Sequence, residues 1–197
     1  KNYVLDLATL SFGKTRSERP VLQVLGEGMG PSLSLTLPAF FLAELMGIFF
    51  ALFAALFRGT KIDRVIVVSS VLLMSVSPVA FILFGQKWFC ADWSYFPISG
   101  YSGGLLAAAY LAMPILLYVI ISLGPNIRFN RIVVLDEIGQ DYVRTARAKG
   151  LPRNSVLFKH VLRNAMIPLI THWVVAIPTL YLGSLLLESF FGIPGLG

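Results

Sequence analysis

The sequence has one cysteine, Cys90, and two histidines, His160 and His172. A single thiol forms no disulfide framework and no cysteine metal site within the chain. Neither histidine has a ligand partner at helical spacing, so no metal ligation is expected. Charge is scarce too, with Asp, Glu, Lys and Arg making up 13% of 197 residues. No Ser/His/Asp set can be placed together on one side of the apolar runs, which speaks against nucleophilic catalysis. A complete phosphate loop is also missing. Gly13-Lys14-Thr15 has the ending of such a loop, but Ala8 occupies the position of its first glycine and no buried strand leads into it. Gly26, Gly28 and Gly30 are a similar decoy, read as a flexible lead-in to a helix and ended by Pro31. The chain is therefore expected to be no enzyme and to bind no cofactor of its own.

What it has in quantity is apolar sequence: 56% of residues are hydrophobic and the mean hydropathy is +0.77. The apolar residues come in long runs, which points to an all-α, polytopic transmembrane bundle. Four spans are expected, at residues 32–57, 65–84, 105–123 and 167–187. Residues 1–31 are mixed and form an N-terminal segment ahead of a membrane domain at 32–197. Glu44 is the one charge inside the first span; such a group is a candidate for gating or a substrate path, or an acid hydrogen-bonded inside the bundle. Pro78 disturbs the second span, whose Ser69, Ser70, Ser75 and Ser77 suit close packing or a polar path. Glu188 closes the fourth and is read as a packing or gating residue, with a substrate role possible.

The net charge of +6 does not indicate nucleic acid, because the basic residues flank spans and no aromatic-basic surface motif appears. Loop 124–166 carries eight basic residues against Asp136, Glu137 and Asp141. The positive-inside rule places it in the cytoplasm, with 58–64 on the same side and 86–104 outside. Segment 86–104 has one basic residue, Lys87, and a belt of rings including Trp88, Trp93 and Tyr95. Residues 1–31 then fall outside, on the periplasmic side.

Within the basic loop, Asp141 to Lys149 has the marks of a short helix. Asp141 and Lys149 complement the helix dipole, Gly150 stands at C′ and Pro152 forbids continuation. A second helix is expected to start at Asn154 or Ser155, both good N-caps, with Pro168 opening the last span.

Tyr142-Val-Arg-Thr-Ala-Arg-Ala-Lys-Gly-Leu-Pro152, followed by Lys159-His-Val-Leu-Arg-Asn-Ala-Met-Ile-Pro168, resembles the EAA loop of bacterial ABC importer permeases. It is closest in pattern to the dipeptide/oligopeptide/nickel branch. Phe12-Gly13 with Pro20-Val21, Trp93 to Tyr101, and Glu188-Ser-Phe-Phe-Gly-Ile-Pro-Gly-Leu-Gly197 agree in order and spacing. Arg144 replaces the acid of the general pattern and Thr145 one alanine, as is usual in the peptide branch.

The resemblance implies a type I ABC importer permease (MetI-like) fold in the bacterial inner membrane. It also implies that the chain is a fragment lacking the family's first and last membrane helices. Tyr142, Arg144, Thr145, Ala146, Arg147, Ala148, Lys149, Gly150 and Leu151 would then form the coupling helix that docks on separate ABC ATPase subunits, which hold ATP and Mg. A second, homologous permease subunit, an extracytoplasmic substrate-binding protein and membrane lipid are the other implied partners. Small peptides are the implied cargo, with nickel or another small solute as alternatives. An ion-driven secondary transporter would need intramembrane charge pairs or an inverted repeat, and only Glu44 and Glu188 are available.

Overall fold

The computed structural model describes Gly13 and residues 19–101, 107–181 and 185–197. Lys14, Thr15 and the first twelve residues, including Ala8 and Phe12, lie outside the described residues.

Two long helices form the frame. Helix α1 is Val21–Leu56 and helix α4 is Ala107–Ile138. At 1.5 Å per residue they run roughly 54 and 48 Å, well beyond a hydrocarbon core of about 30 Å. Helix α1 starts eleven residues ahead of the expected span. Gly26, Gly28, Gly30 and Pro31 are helical, not a loose lead-in. The reason is tertiary: Gly28 is buried, and a Cβ there would meet Gly195 and Leu196 at 3.1 Å. Helix α4 likewise overruns the expected end at Leu123 and passes through Pro125. A Cβ on Gly124 would lie 2.7 Å from the Ser70 carbonyl oxygen, so α4 stays pressed on its neighbour there.

The expected second span is two helices. Helix α2 is Lys61–Ser75. Helix α3 begins at Pro78 and runs to Gly85, continuing from Gln86 to Asp92 in wider, π-helical turns. The two are bent by 89°. Pro78 stands at N1, where its missing N–H costs least, and Ser77 ahead of it is extended.

A short helix α5, Asp141–Ala148, follows α4. Helix α6 then runs from Arg153–Ser155 through π-helical Val156–Val161 into Leu162–Tyr181. It starts at Arg153 with Pro152 as N-cap, two or three residues ahead of the expected caps Asn154 or Ser155. Pro168 lies inside it and does not open a separate span, so the expected second helix of loop 124–166 and the expected fourth span are one continuous helix. Helix α7 is Leu185–Phe191.

Two apolar clusters sit at opposite ends of the α1–α4 pair. One joins Leu35, Ile82, Leu111, Met113, Leu117, Leu187 and Phe191. The other joins Ile48, Leu52, Val134, Val143, Ala146, Val156 and Leu157. The helices between them touch closely at Gly47. A Cβ there would meet Asn126 Cβ at 2.8 Å and Asn130 Nδ2 at 2.9 Å.

Gly47→Val is expected to lower the stability of the folded bundle by about 1–3 kcal/mol through overpacking at a backbone contact. Gly26→Ala, which meets nothing within 4 Å, is expected to be neutral or stabilising by up to about 1 kcal/mol. Thermal unfolding of the two variants in one detergent checks the contrast.

A short exposed helix seated on the bundle end

Helix α5 has eight residues. That is too short to hold helical form alone, so packing and termini must supply the rest. Val143 and Ala146 recur at i, i+3 and are buried in the apolar cluster with Leu52, Val134 and Val161. Its first turn is anchored by Val143 N–H and Arg144 N–H, both donating to the Gln140 carbonyl. Its last turn closes as a Schellman motif. Gly150 N–H donates to the Arg147 carbonyl at 2.9 Å, and Leu151 N–H to that of Ala146 at 3.4 Å. Gly150 has φ +76°, the left-handed conformation this motif needs. The expected start, C′ glycine and proline stop are thus all in place.

The side chains divide into two faces. Arg144, Thr145, Arg147, Ala148, Lys149, Gly150 and Leu151 are exposed. Tyr142 is half-buried and packs on the cluster, and Ala146 is buried within it. Of the two alanines, then, only Ala148 offers a close backbone approach from outside. The Tyr142 hydroxyl donates to Glu137 Oε2 at 2.6 Å. Burial, and then the hydrogen bond to Glu137, hold this phenol above the ordinary tyrosine range. The Arg144–Asp141 pair at 3.3 Å is widely exposed and contributes little.

The basic end of the bundle is tied together by two further contacts. Arg153 Nη2 donates to the Ala55 carbonyl at 3.3 Å, near the C-terminus of α1, which the Arg58 N–H also reaches at 3.4 Å. Arg131 grips Asp63 through both carboxylate oxygens, at 3.0 and 3.1 Å from Nη2, and the Gly59 N–H donates to the same carboxylate. This pins the α1–α2 turn to α4. Arg58, Lys61 and Arg64 are the near charges in sequence, but the partner of Asp63 lies 68 positions away, which no local pattern reveals. Val143 was also missed, although its i, i+3 spacing with Ala146 on a polar helix was a usable signal.

The three candidate path residues have separate settings. Glu44 is 2% exposed and accepts a hydrogen bond from Trp173 Nε1 at 2.9 Å, as an acid held inside a bundle should. Pro78 sits at the α2–α3 bend beside a cavity of about 160 Å³ shared with Tyr118 and Ser122. Glu188 is buried and accepts from the Gly197 N–H at 2.7 Å. Ser32 Oγ accepts the Leu196 N–H beside it, at 2.8 Å. A Cβ on Gly195 would collide with both the Glu188 carboxylate and Ser32 Oγ. His172 stacks on Phe129 with ring centroids 4.2 Å apart.

Residues 47–197 match the family described as binding-protein-dependent transport system inner membrane component. The chain belongs to this family. It is 29% identical over 202 residues to the oligopeptide transport system permease protein OppB of Haemophilus influenzae, covering 100% of this chain and 65% of that protein. It is 32% identical over 197 residues to the glutathione transport system permease protein GsiC of Salmonella choleraesuis, covering 100% and 63%. It is 32% identical over 188 residues to the oligopeptide transport system permease protein AppB of Bacillus subtilis, covering 92% and 60%. The chain thus spans somewhat under two thirds of the length of these relatives.

Asp63→Asn is expected to lower the stability of the bundle by about 1–3 kcal/mol, because a partly buried guanidinium loses its carboxylate. The exchange Asp63→Arg with Arg131→Asp should recover part of that loss. Thermal unfolding of the single and double variants measures it.

Proposed function

We propose that this chain is the membrane-spanning part of a permease subunit in an ATP-driven importer of small peptides, and that α5 is its coupling helix. The observation that carries the reading is the two-faced construction of α5. Its inner face, Val143 and Ala146, is locked to α1, α4 and α6. Its outer face presents Arg144, Arg147, Ala148 and Lys149 at an end closed by Gly150. A push on the outer face is therefore passed directly to three membrane-length helices. The chain's membership of a transport-component family supports the class. The relatives named for oligopeptides and glutathione support a peptide cargo.

In this reading ATP and Mg are held by separate ATPase subunits. ATP shifts the transporter between inward-open and outward-open states only through different affinity for the two. Arg144, Arg147 and Lys149 pair with acids at the rim of the ATPase, each contributing about 0–1 kcal/mol. Ala148 and Leu151 supply close apolar contact. A second permease subunit completes the pathway, and an extracytoplasmic binding protein delivers the cargo. The basic end, including α5 and the α1–α2 turn, faces the cytoplasm.

Gly150→Asp tests the docking role. A Cβ at Gly150 meets nothing within 4 Å inside the chain. The variant should lose only about 1–2 kcal/mol of folding stability, from the left-handed backbone. Its co-purification with the ATPase should fall about tenfold, a loss of roughly 1.4 kcal/mol of binding. Unchanged co-purification would remove α5 from the interface. Uptake into proteoliposomes that persists without ATP would instead favour an ion-driven carrier. Reporter fusions at Gln140 and Ser94 should be cytoplasmic and periplasmic respectively, and the reverse would overturn the orientation.

A further inference from the structure

A cavity of about 430 Å³ opens where α1 ends, α5 passes and α6 begins. Arg58, Arg147 and Arg153 line it, one from each of these three places. Among the described residues no carboxylate pairs with any of the three; the ion pairs involve Arg19, Arg131 and Arg144. Arg153 spends one N–H on the Ala55 carbonyl and keeps its other donors. The first turn of α6 opens at the same place, with Pro152 as N-cap and no side chain capping its N–H groups. Three guanidinium groups thus line one space, and all of them favour an anion.

The floor of the same cavity is apolar, formed by Leu56, Val156 and Leu157 among others. Phe53, in the last turn of α1, and Phe57, its C-cap, are each 37% exposed. Cationic rim and hydrocarbon floor meet at the level where a membrane-length helix runs out. A ligand that suits both must carry its negative charge directly beside its own apolar chains. We propose that this cavity binds the phosphate headgroup of an anionic phospholipid from the adjoining leaflet, with an acyl chain on the floor. Arg147 is exposed on α5 and also borders the cavity, so the bound headgroup touches the docking helix at the edge of its outer face and fixes its orientation. The proposal rests on the cytoplasmic placement of this end, where anionic lipid borders the bundle.

The test uses the intact transporter that contains this chain, purified and placed in phosphatidylcholine nanodiscs with rising phosphatidylglycerol. Retained lipid is counted by native mass spectrometry, without ATP. The wild type should hold phosphatidylglycerol in a saturable manner. Arg58→Gln should raise the half-saturating fraction about tenfold, and Arg58→Lys should raise it less, since the charge stays while the planar fork is lost. Lys61→Gln, an exposed cation outside the cavity, should leave retention unchanged. Equal retention by Arg58→Gln would overturn the proposal. So would an equal loss in Lys61→Gln, which would mean a diffuse surface charge. Displacement by millimolar inorganic phosphate would mean a site for soluble anions. Loss of the ATPase from Arg58→Gln with lipid retention intact would mean that a carboxylate of the partner fills the cavity. Lipid counting does not depend on ATPase docking, so failure of the Gly150→Asp experiment and failure of this one are distinguishable.

Discussion

The structure depends on the close approach of α1 and α4 at Gly47. Two helices about 50 Å long can align only if their backbones meet without side chains forcing them apart. Gly47 supplies that gap, filled from the other side by Asn126 and Asn130. The arrangement carries a cost. Asn130 is fully buried, and neither its oxygen nor its nitrogen has a hydrogen-bond partner among the described residues. An unsatisfied buried amide costs about 1–3 kcal/mol. The two apolar clusters at either end of the helix pair offset it by burying Leu, Ile, Val and Phe side chains.

Everything at the basic end hangs from that pair. Helix α5 cannot stand by itself; Val143 and Ala146 give it a seat, and the Schellman turn at Gly150 ends it so that Leu151 and Pro152 can lead into α6. Arg153 then ties the start of α6 to the end of α1, and Asp63 ties the α1–α2 turn to α4. Each link joins a point on one membrane-length helix to a neighbour. Helix α5 is consequently seated on helices and not carried by loops alone. The opposite end is organised in the same way around Glu188 and Ser32, which hold the backbone of Leu196 and Gly197.

Local signals were strongest where one residue has one physical use. Gly150 followed by Pro152 marked the end of α5 correctly, because a left-handed C′ position and a missing N–H are properties of single residues. Glu44 could be anticipated as an acid satisfied inside the bundle, since its burial as a lone charge would otherwise be costly. Its partner, Trp173, could not be named. Helix ends were misjudged at Pro31, expected to end a glycine lead-in, and at Pro168, expected to open the last span. Both lie inside helices, as does Pro125. A helix pressed against neighbours can lose one hydrogen bond and continue, which a local rule does not register.

By itself the sequence determined the class of the molecule, the helical bundle and the form of the short helix in the charged segment, because hydropathy, charge and turn chemistry act over a few residues. Tertiary structure alone decided how far each helix runs, the 89° break at Pro78, which side of α5 faces inward and which charges pair. Those outcomes are set by contacts between residues tens of positions apart, such as Asp63 with Arg131 and Gly28 with Gly195, and the energy of such a contact exists only once the helices have met.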